Sequence, residues 1–204
     1  MLLQDKNNRN MIQSKQDMRF YIQEDKKRNV GANVSTIKYI AKWLYGTDDV
    51  KAYRLLKALR KLEYAKNCLY KKGLWGKAIF AFRKLRYHRL EERYDIAIGT
   101  NMVGYGFRLP HIVGGGIIIN CNSMGNYCGA NVGVVIGNNH TWDERPTIGD
   151  HVGFSIGSKA YGNIHIGSHV TIAPNSVVIK DVPDNSVVSG VPAKIIKQNG
   201  KLVK

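Results

Sequence analysis

Proline is missing from the first half of this 204-residue chain; all five prolines lie at or after Pro110. Glycine is scarce over the same stretch, with 4 of 21 falling before residue 95. Without these breakers the chain can run in long helices, and a turn-rich β architecture is excluded there. Carboxylates are also short: residues 1–94 hold 9 Asp/Glu against 23 Lys/Arg, whereas residues 95–204 hold 6 against 8. Cysteine is rare, and Cys68, Cys121 and Cys128 are odd in number and form no spaced motif, which excludes a disulfide framework. No long hydrophobic run exists. The longest near-apolar stretch, IVGGGIII, is far short of the roughly 18–20 residues that span a bilayer. The opening MLLQDKNNRNMIQ carries no sustained apolar segment of the signal-peptide kind, so a cytoplasmic protein is expected.

These contrasts divide the chain into a basic α-helical part, 1–94, a neutral Gly-rich part, 95–190, and a tail, 191–204. Ser14 followed by Asp17 resembles a capping box and opens a helix that stops around Asn29–Gly31. Ser35 caps a second, carrying Ile37, Ile40, Ala41 and Leu44. Asp48 or Asp49 starts a third, in which Tyr53, Leu56, Leu59, Leu62, Ala65 and Leu69 recur at three- and four-residue steps, and Gly73 ends it. A fourth runs from about Leu74 to Glu92 with Ile79, Phe82, Leu85 and Leu90 on one side. The excess positive charge on these helices reads either as a solvated face or as attraction to an anionic membrane or acidic glycan. No nucleic-acid-binding motif accompanies it, so nucleic acid is not expected as a partner.

The second half repeats. From Ile112 to Pro183 twelve six-residue blocks follow one another in phase. The last six are IGDHVG, FSIGSK, AYGNIH, IGSHVT, IAPNSV and VIKDVP. A large apolar residue opens each block, and a small or β-branched one sits four later, as in Ile148 with Val152 or Ile172 with Ser176. That is the hexapeptide β-helix pattern, in which three short strands make a triangular coil and each coil buries its apolar face on the next. The block WDERPT breaks the rule with Trp142 first and Pro146 fifth. It reads as a decayed coil or, preferably, as a loop leaving a rigid scaffold, where chemistry concentrates.

The hexads, the stretch LPHIVGGGIIIN (109–120), the run GNNHT (137–141) and the tail SVVIKDVPDNSVVSGVPAKII (176–196) resemble the hexapeptide-repeat acyltransferases. The nearest branch is that of the serine acetyltransferases and related capsule or exopolysaccharide O-acetyltransferases. The resemblance covers residues 94–196. It implies an α+β protein, with an N-terminal helical domain before a left-handed parallel β-helix, assembled as a homotrimer. Acetyl-CoA would lie between coils of neighbouring subunits. By the same resemblance Ile156 and Pro174 make backbone contacts to CoA, and Ile179, Lys180 and Lys194 lie near its pantetheine, phosphates and adenine. No metal is implied.

Such chemistry needs a base, because a hydroxyl attacks a thioester weakly unless its proton is removed during attack. Imidazole suits this task and typically contributes about 10²–10⁴-fold. The oxyanion then needs an aimed donor, which a backbone N–H of a Gly-rich turn can supply. Among six histidines, His88 sits in a basic helix, and His151, His165 and His169 occupy outward positions of regular hexads. His111, just before Gly114–Gly116, is where the serine acetyltransferase branch keeps its catalytic His. His140 opens the irregular loop, where other acetyltransferases of the superfamily keep theirs. His111 is preferred as base, with His140 orienting the acceptor.

Three departures from true serine acetyltransferases concern the acceptor. Pro110 stands where they have Asp, Arg145 where they have His, and Asp95 misses their dyad spacing by about one residue. The groups that grip an amino acid's ammonium are thus absent or shifted. The preferred acceptor is therefore a sugar hydroxyl of a capsule or exopolysaccharide precursor, contacted by Asp143 and Arg145, with serine O-acetylation as the alternative. Two other classes compete: a zinc-dependent β-helix hydratase using three histidines, for which only His165 and His169 come near the spacing, and a scaffolding solenoid without an active groove.

Overall fold

The computed structural model describes residues 11–114, 116–139, 141 and 144–203. Four α-helices come first, and their starts follow their capping residues. Helix α1 (Lys15–Asn29) begins where the Ser14 hydroxyl accepts the Asp17 N–H at 3.0 Å, while the Asp17 carboxylate accepts the Gln13 N–H at 3.1 Å. Helix α2 (Thr36–Leu44) starts on Ser35, which accepts the Lys38 N–H. Helix α3 (Asp48–Tyr64) places Asp48 and Asp49 at its positive end and closes in a π-helical turn, Ala65–Leu69. Helix α4 (Leu74–Tyr94) follows Gly73 and ends on Asp95 in the left-handed region.

The apolar steps of α3 face the core as their spacing requires, with Tyr53, Leu56, Leu59, Leu62 and Ala65 all buried. Helices α2 and α4 behave differently. Ile37, Ile40 and Leu44, and likewise Ile79, Phe82 and Leu85, remain exposed. Periodicity establishes which residues share a face; it does not establish that the face meets a core.

After Asp95 the chain winds into five stacked triangular coils. One face stacks β1 (Ile96–Ile98), β2 (Ile117–Ile119), β5 (Val135–Gly137), β8 (Lys159–Tyr161) and β11 (Val177–Val178). A second stacks β3 (Ser123–Met124), β6 (Thr147–Ile148) and β9 (His165–Ile166). The third stacks β4 (Gly129–Ala130), β7 (Gly153–Phe154), β10 (Thr171–Ile172) and β12 (Ser186–Gly190). These pairs are parallel, and single bridges at Val103, Arg108 and Val182 complete the outermost coils. Two further strands, β13 (Ala193–Gln198) and β14 (Lys201–Leu202), fold back antiparallel on β12.

Inside the prism the sixfold rhythm is physical. Met124, Ala130, Ile136, Ile148, Phe154, Ala160, Ile166, Ile172 and Val178 are buried, as are the corner residues Val152, Ser158, Ile164, Val170, Ser176 and Val182. Trp142 lies outside the described residues. The phase assigned upstream needs correcting: Ile118 is exposed, whereas Ile117 and Ile119 point inward and Ile119 sits in register with Ile136. The turn between Ile119 and Met124 is one residue short of a hexad. Because strand side chains alternate, a one-residue slip exchanges the inner and outer faces.

His151 and His169 adopt left-handed backbone at one corner and stack ring on ring, 4.7 Å apart, with Tyr127 stacked on His151 at 5.2 Å. They form a corner ladder rather than a ligand set, and no group of three His, Cys, Asp or Glu among the described residues is placed to hold a metal ion. Burial pushes the Cys121 and Cys128 thiols up to about 12, so neither supplies a thiolate nucleophile. Cys68 is only part-buried. Thiol titration of the native protein at pH 8 is expected to report at most Cys68, with Cys121 and Cys128 reacting only after denaturant is added. Prompt reaction of all three would show that the coil interior opens readily.

The helical part and the prism share one hydrophobic core, and a buried charge network crosses the seam. Arg60, fully buried, donates from Nε to Asp25 at 2.9 Å and from Nη1 to Glu63 at 3.1 Å and to the Val103 carbonyl at 2.9 Å. Its Nη2 donates to the Gly104 carbonyl at 2.6 Å. Asp25 in turn accepts the Phe107 N–H, and Glu63 accepts the Asn101 N–H. The first coil is irregular between Gly99 and Leu109, so its backbone lacks a full set of strand partners. These side chains satisfy it.

Candidate functional site

The site is assembled at the corner where the third face turns into the first. His111 sits there on the lowest coil, just after the bridge at Arg108 and just before buried Ile112. Helix α1 holds the approach: Asn29 donates to the Phe107 carbonyl at 2.7 Å and accepts the Leu109 N–H at 3.0 Å. Helix α3 holds the side chain. Asp48, the first residue of α3, brings Oδ2 to 3.8 Å from His111 Nδ1. Asp48 also lies 3.5 Å from Lys51 Nζ. The imidazole is 63% exposed, so a substrate can reach it. A carboxylate at this distance favours one imidazole orientation and can also attract a cationic group arriving beside the ring.

Ile156 and Pro174 lie on the same corner, two and three coils above His111, and both are exposed. The Ile156 carbonyl already accepts the Asn175 N–H at 2.9 Å, and Pro174 has no N–H to offer. Lys194 follows the Gly190–Pro192 turn at the top of this corner and is exposed. Ile179 and Lys180 do not join them. They follow β11 and mark the opposite edge of the first face, with both side chains exposed. Arg145 belongs to that opposite edge too, where Nη1 donates to Asn120 at 3.3 Å and its carbonyl accepts from Asn122 at 2.8 Å. Within one chain, then, the candidate residues occupy two edges separated by a strand of two or three residues, about 10 Å. His140 and Asp143 lie outside the described residues.

Asp95 does not partner His111. Its carboxylate lies against Gly116, where an added Cβ would come within 3.1 Å of Oδ2. The carboxylate beside the His111 ring is that of Asp48. Sequence reasoning missed Asp48 because it is 63 residues away and served there only as a helix start. It missed Asn29 for the same reason.

No family model matches the chain. Comparison with individual proteins is more informative. A serine acetyltransferase from Synechococcus elongatus is 35% identical over 115 residues, which is 55% of this chain and 46% of that enzyme. The serine acetyltransferase of Neisseria gonorrhoeae superposes with a TM-score of 0.64 at 26% identity, over 94% of this chain and 69% of the other. Its complex with serine gives 0.62 at 28% identity, over 88% and 69%. The chain is similar in sequence and fold to serine acetyltransferases, which are hexapeptide-repeat acyltransferases. Its prism is their left-handed β-helix, preceded as in them by helices. A further serine acetyltransferase, bound to CoA, shares this fold with a TM-score of 0.59 at 22% identity, over 90% of this chain and 72% of that one. The chain spans about half the length of the Synechococcus relative.

Proposed function

We propose that the chain transfers an acetyl group from acetyl-CoA to a hydroxyl, with L-serine as acceptor and His111 as general base. The observation that carries this reading is an accessible imidazole on the Ile156–Pro174 corner with a carboxylate 3.8 Å from its ring. His111 takes the hydroxyl proton as the oxygen attacks the thioester carbonyl. The C–S bond then breaks, and the imidazolium returns the proton to the CoA sulfur. Asp48 answers the difficulty raised by Pro110: an ammonium can find its carboxylate on the helical part rather than on the coil. The serine acetyltransferase relatives support the choice of acceptor, and the serine and CoA complexes of two of them support the substrate pair.

A homotrimer fits the geometry. A threefold arrangement of prisms can set one subunit's Arg145 edge against the next subunit's His111 corner, which a single chain keeps apart. Exposed Val113, Ile118, Ile156 and Ile179 along this face supply apolar surface for such packing. Lys180 and Lys194 would then flank the slot as cations for CoA phosphates.

Release of CoA thiol tests the reading. Turnover is expected with acetyl-CoA and L-serine, and Asp48→Asn should raise the KM for serine roughly tenfold, the typical scale of one lost charge interaction, while leaving the KM for acetyl-CoA unchanged. Turnover with a sugar acceptor and none with serine would return the acceptor to the glycan class without removing the acetyl transfer.

A further inference from the structure

A second groove lies away from this site, between α2, α3 and α4, with a volume of about 740 Å³. Six cations line it, Arg54, Lys57, Lys61, Arg86, Arg89 and Arg93, and no carboxylate does. None of the six forms an ion pair among the described residues. Burial and the neighbouring Arg83, Lys57 and Arg86 hold the Lys61 ammonium below its ordinary range, a sign of crowded positive charge. Between the cations lie Ile40, Trp43, Phe82 and Leu85. In the first turn of α4, ahead of the groove, apolar side chains project almost fully into solvent: Leu74 is 85% exposed and Trp75 84%. Helix α2 buries none of its residues, although its apolar and polar residues are sharply segregated.

We propose that this surface docks the chain on an anionic phospholipid bilayer. Headgroup phosphates would meet the cations while Trp43, Trp75 and Phe82 enter the interface. Cations and protruding aromatics on one amphipathic face are what such a surface selects. A soluble polyanion matches the cations and leaves Leu74 and Trp75 in water. A second copy of the same face would set six cations against six like charges. The attachment is peripheral, since among the described residues no helix is long and apolar enough to cross a membrane.

The test is flotation of the full chain with vesicles of neutral phosphatidylcholine or of phosphatidylcholine containing about 30% phosphatidylglycerol. The protein should float with the anionic vesicles at least about tenfold more than with the neutral ones and be released by about 0.5 M salt. The Arg86→Glu/Arg89→Glu variant should lose this binding, and the Trp43→Ser/Phe82→Ser variant should weaken it, each keeping the wild-type circular dichroism and assembly mass. Absence of anionic-vesicle binding overturns the proposal, as does binding indifferent to both variants. A changed mass for Trp43→Ser/Phe82→Ser by light scattering also overturns it, and assigns the groove to contact between copies.

Discussion

Replacing His111 by Ala is expected to lower kcat for acetyl transfer by about 10²–10⁴-fold, the usual contribution of a positioned general base. The KM for acetyl-CoA should move little, because the loss falls on an interaction made in the transition state. Stability should stay within about 0.5 kcal/mol, since an exposed side chain with one carboxylate neighbour at 3.8 Å contributes little to packing. Steady-state kinetics beside a thermal melt therefore separate chemistry from folding. His140→Ala is the paired control. If the His111→Ala enzyme keeps more than about a tenth of wild-type kcat while His140→Ala is dead, the base is His140 and the corner assignment fails.

The second large effect belongs to the seam. Arg60→Ala should destabilise the protein by about 3–5 kcal/mol, because it strands Asp25 and Glu63 as buried charges and unpairs the Val103 and Gly104 carbonyls. For a chain of this size that is a fall in Tm of roughly 6–20 °C. Arg60→Lys should recover little of it, since one ammonium cannot reach four acceptors in the fork geometry of a guanidinium. The pH dependence has a definite sign. Burial raises the carboxyls of Asp25 and of Glu63, against the opposing pull of Arg60 and of backbone donors. A carboxyl raised on folding makes the native state hold its proton more tightly than the unfolded chain. Stability is then fullest below the unfolded carboxylate range and is lost as pH rises through the raised folded value. Removing Arg60 raises both further, so the deficit of Arg60→Ala should be largest near neutrality and shrink as the medium is acidified. A deficit that grows in acid would show that the network is held by something other than charge pairing.

What the sequence could disclose followed from local rules. Stacked coils impose a period of six, so Ile148 through Val178 announce their burial without any knowledge of partners. Ser14 and Ser35 disclose helix starts because a cap is made within three residues. The one-residue slip at Ile118 shows where that legibility ends: three consecutive isoleucines satisfy either phase, and only pairing with β5 chooses between them. Arg60, Asp25 and Glu63 looked like three more charges in a charged half. Their role depends on contacts with residues 99–107, which lie dozens of positions away and have no regular pattern. The site divides in the same way. His111 could be picked out beside its Gly triplet, whereas Asp48 gains meaning only when α3 is laid across the corner. The outward apolar faces of α2 and α4 have the spacing of core helices, and no sequence period distinguishes a covered face from an open one.

The most direct measurement is a crystal structure of the protein with CoA bound. The account predicts the CoA sulfur within about 3–4 Å of the position a hydroxyl takes when hydrogen-bonded to His111, with the pantetheine passing Ile156 and Pro174. A sulfur bound on another edge of the prism, beyond reach of His111, would contradict it.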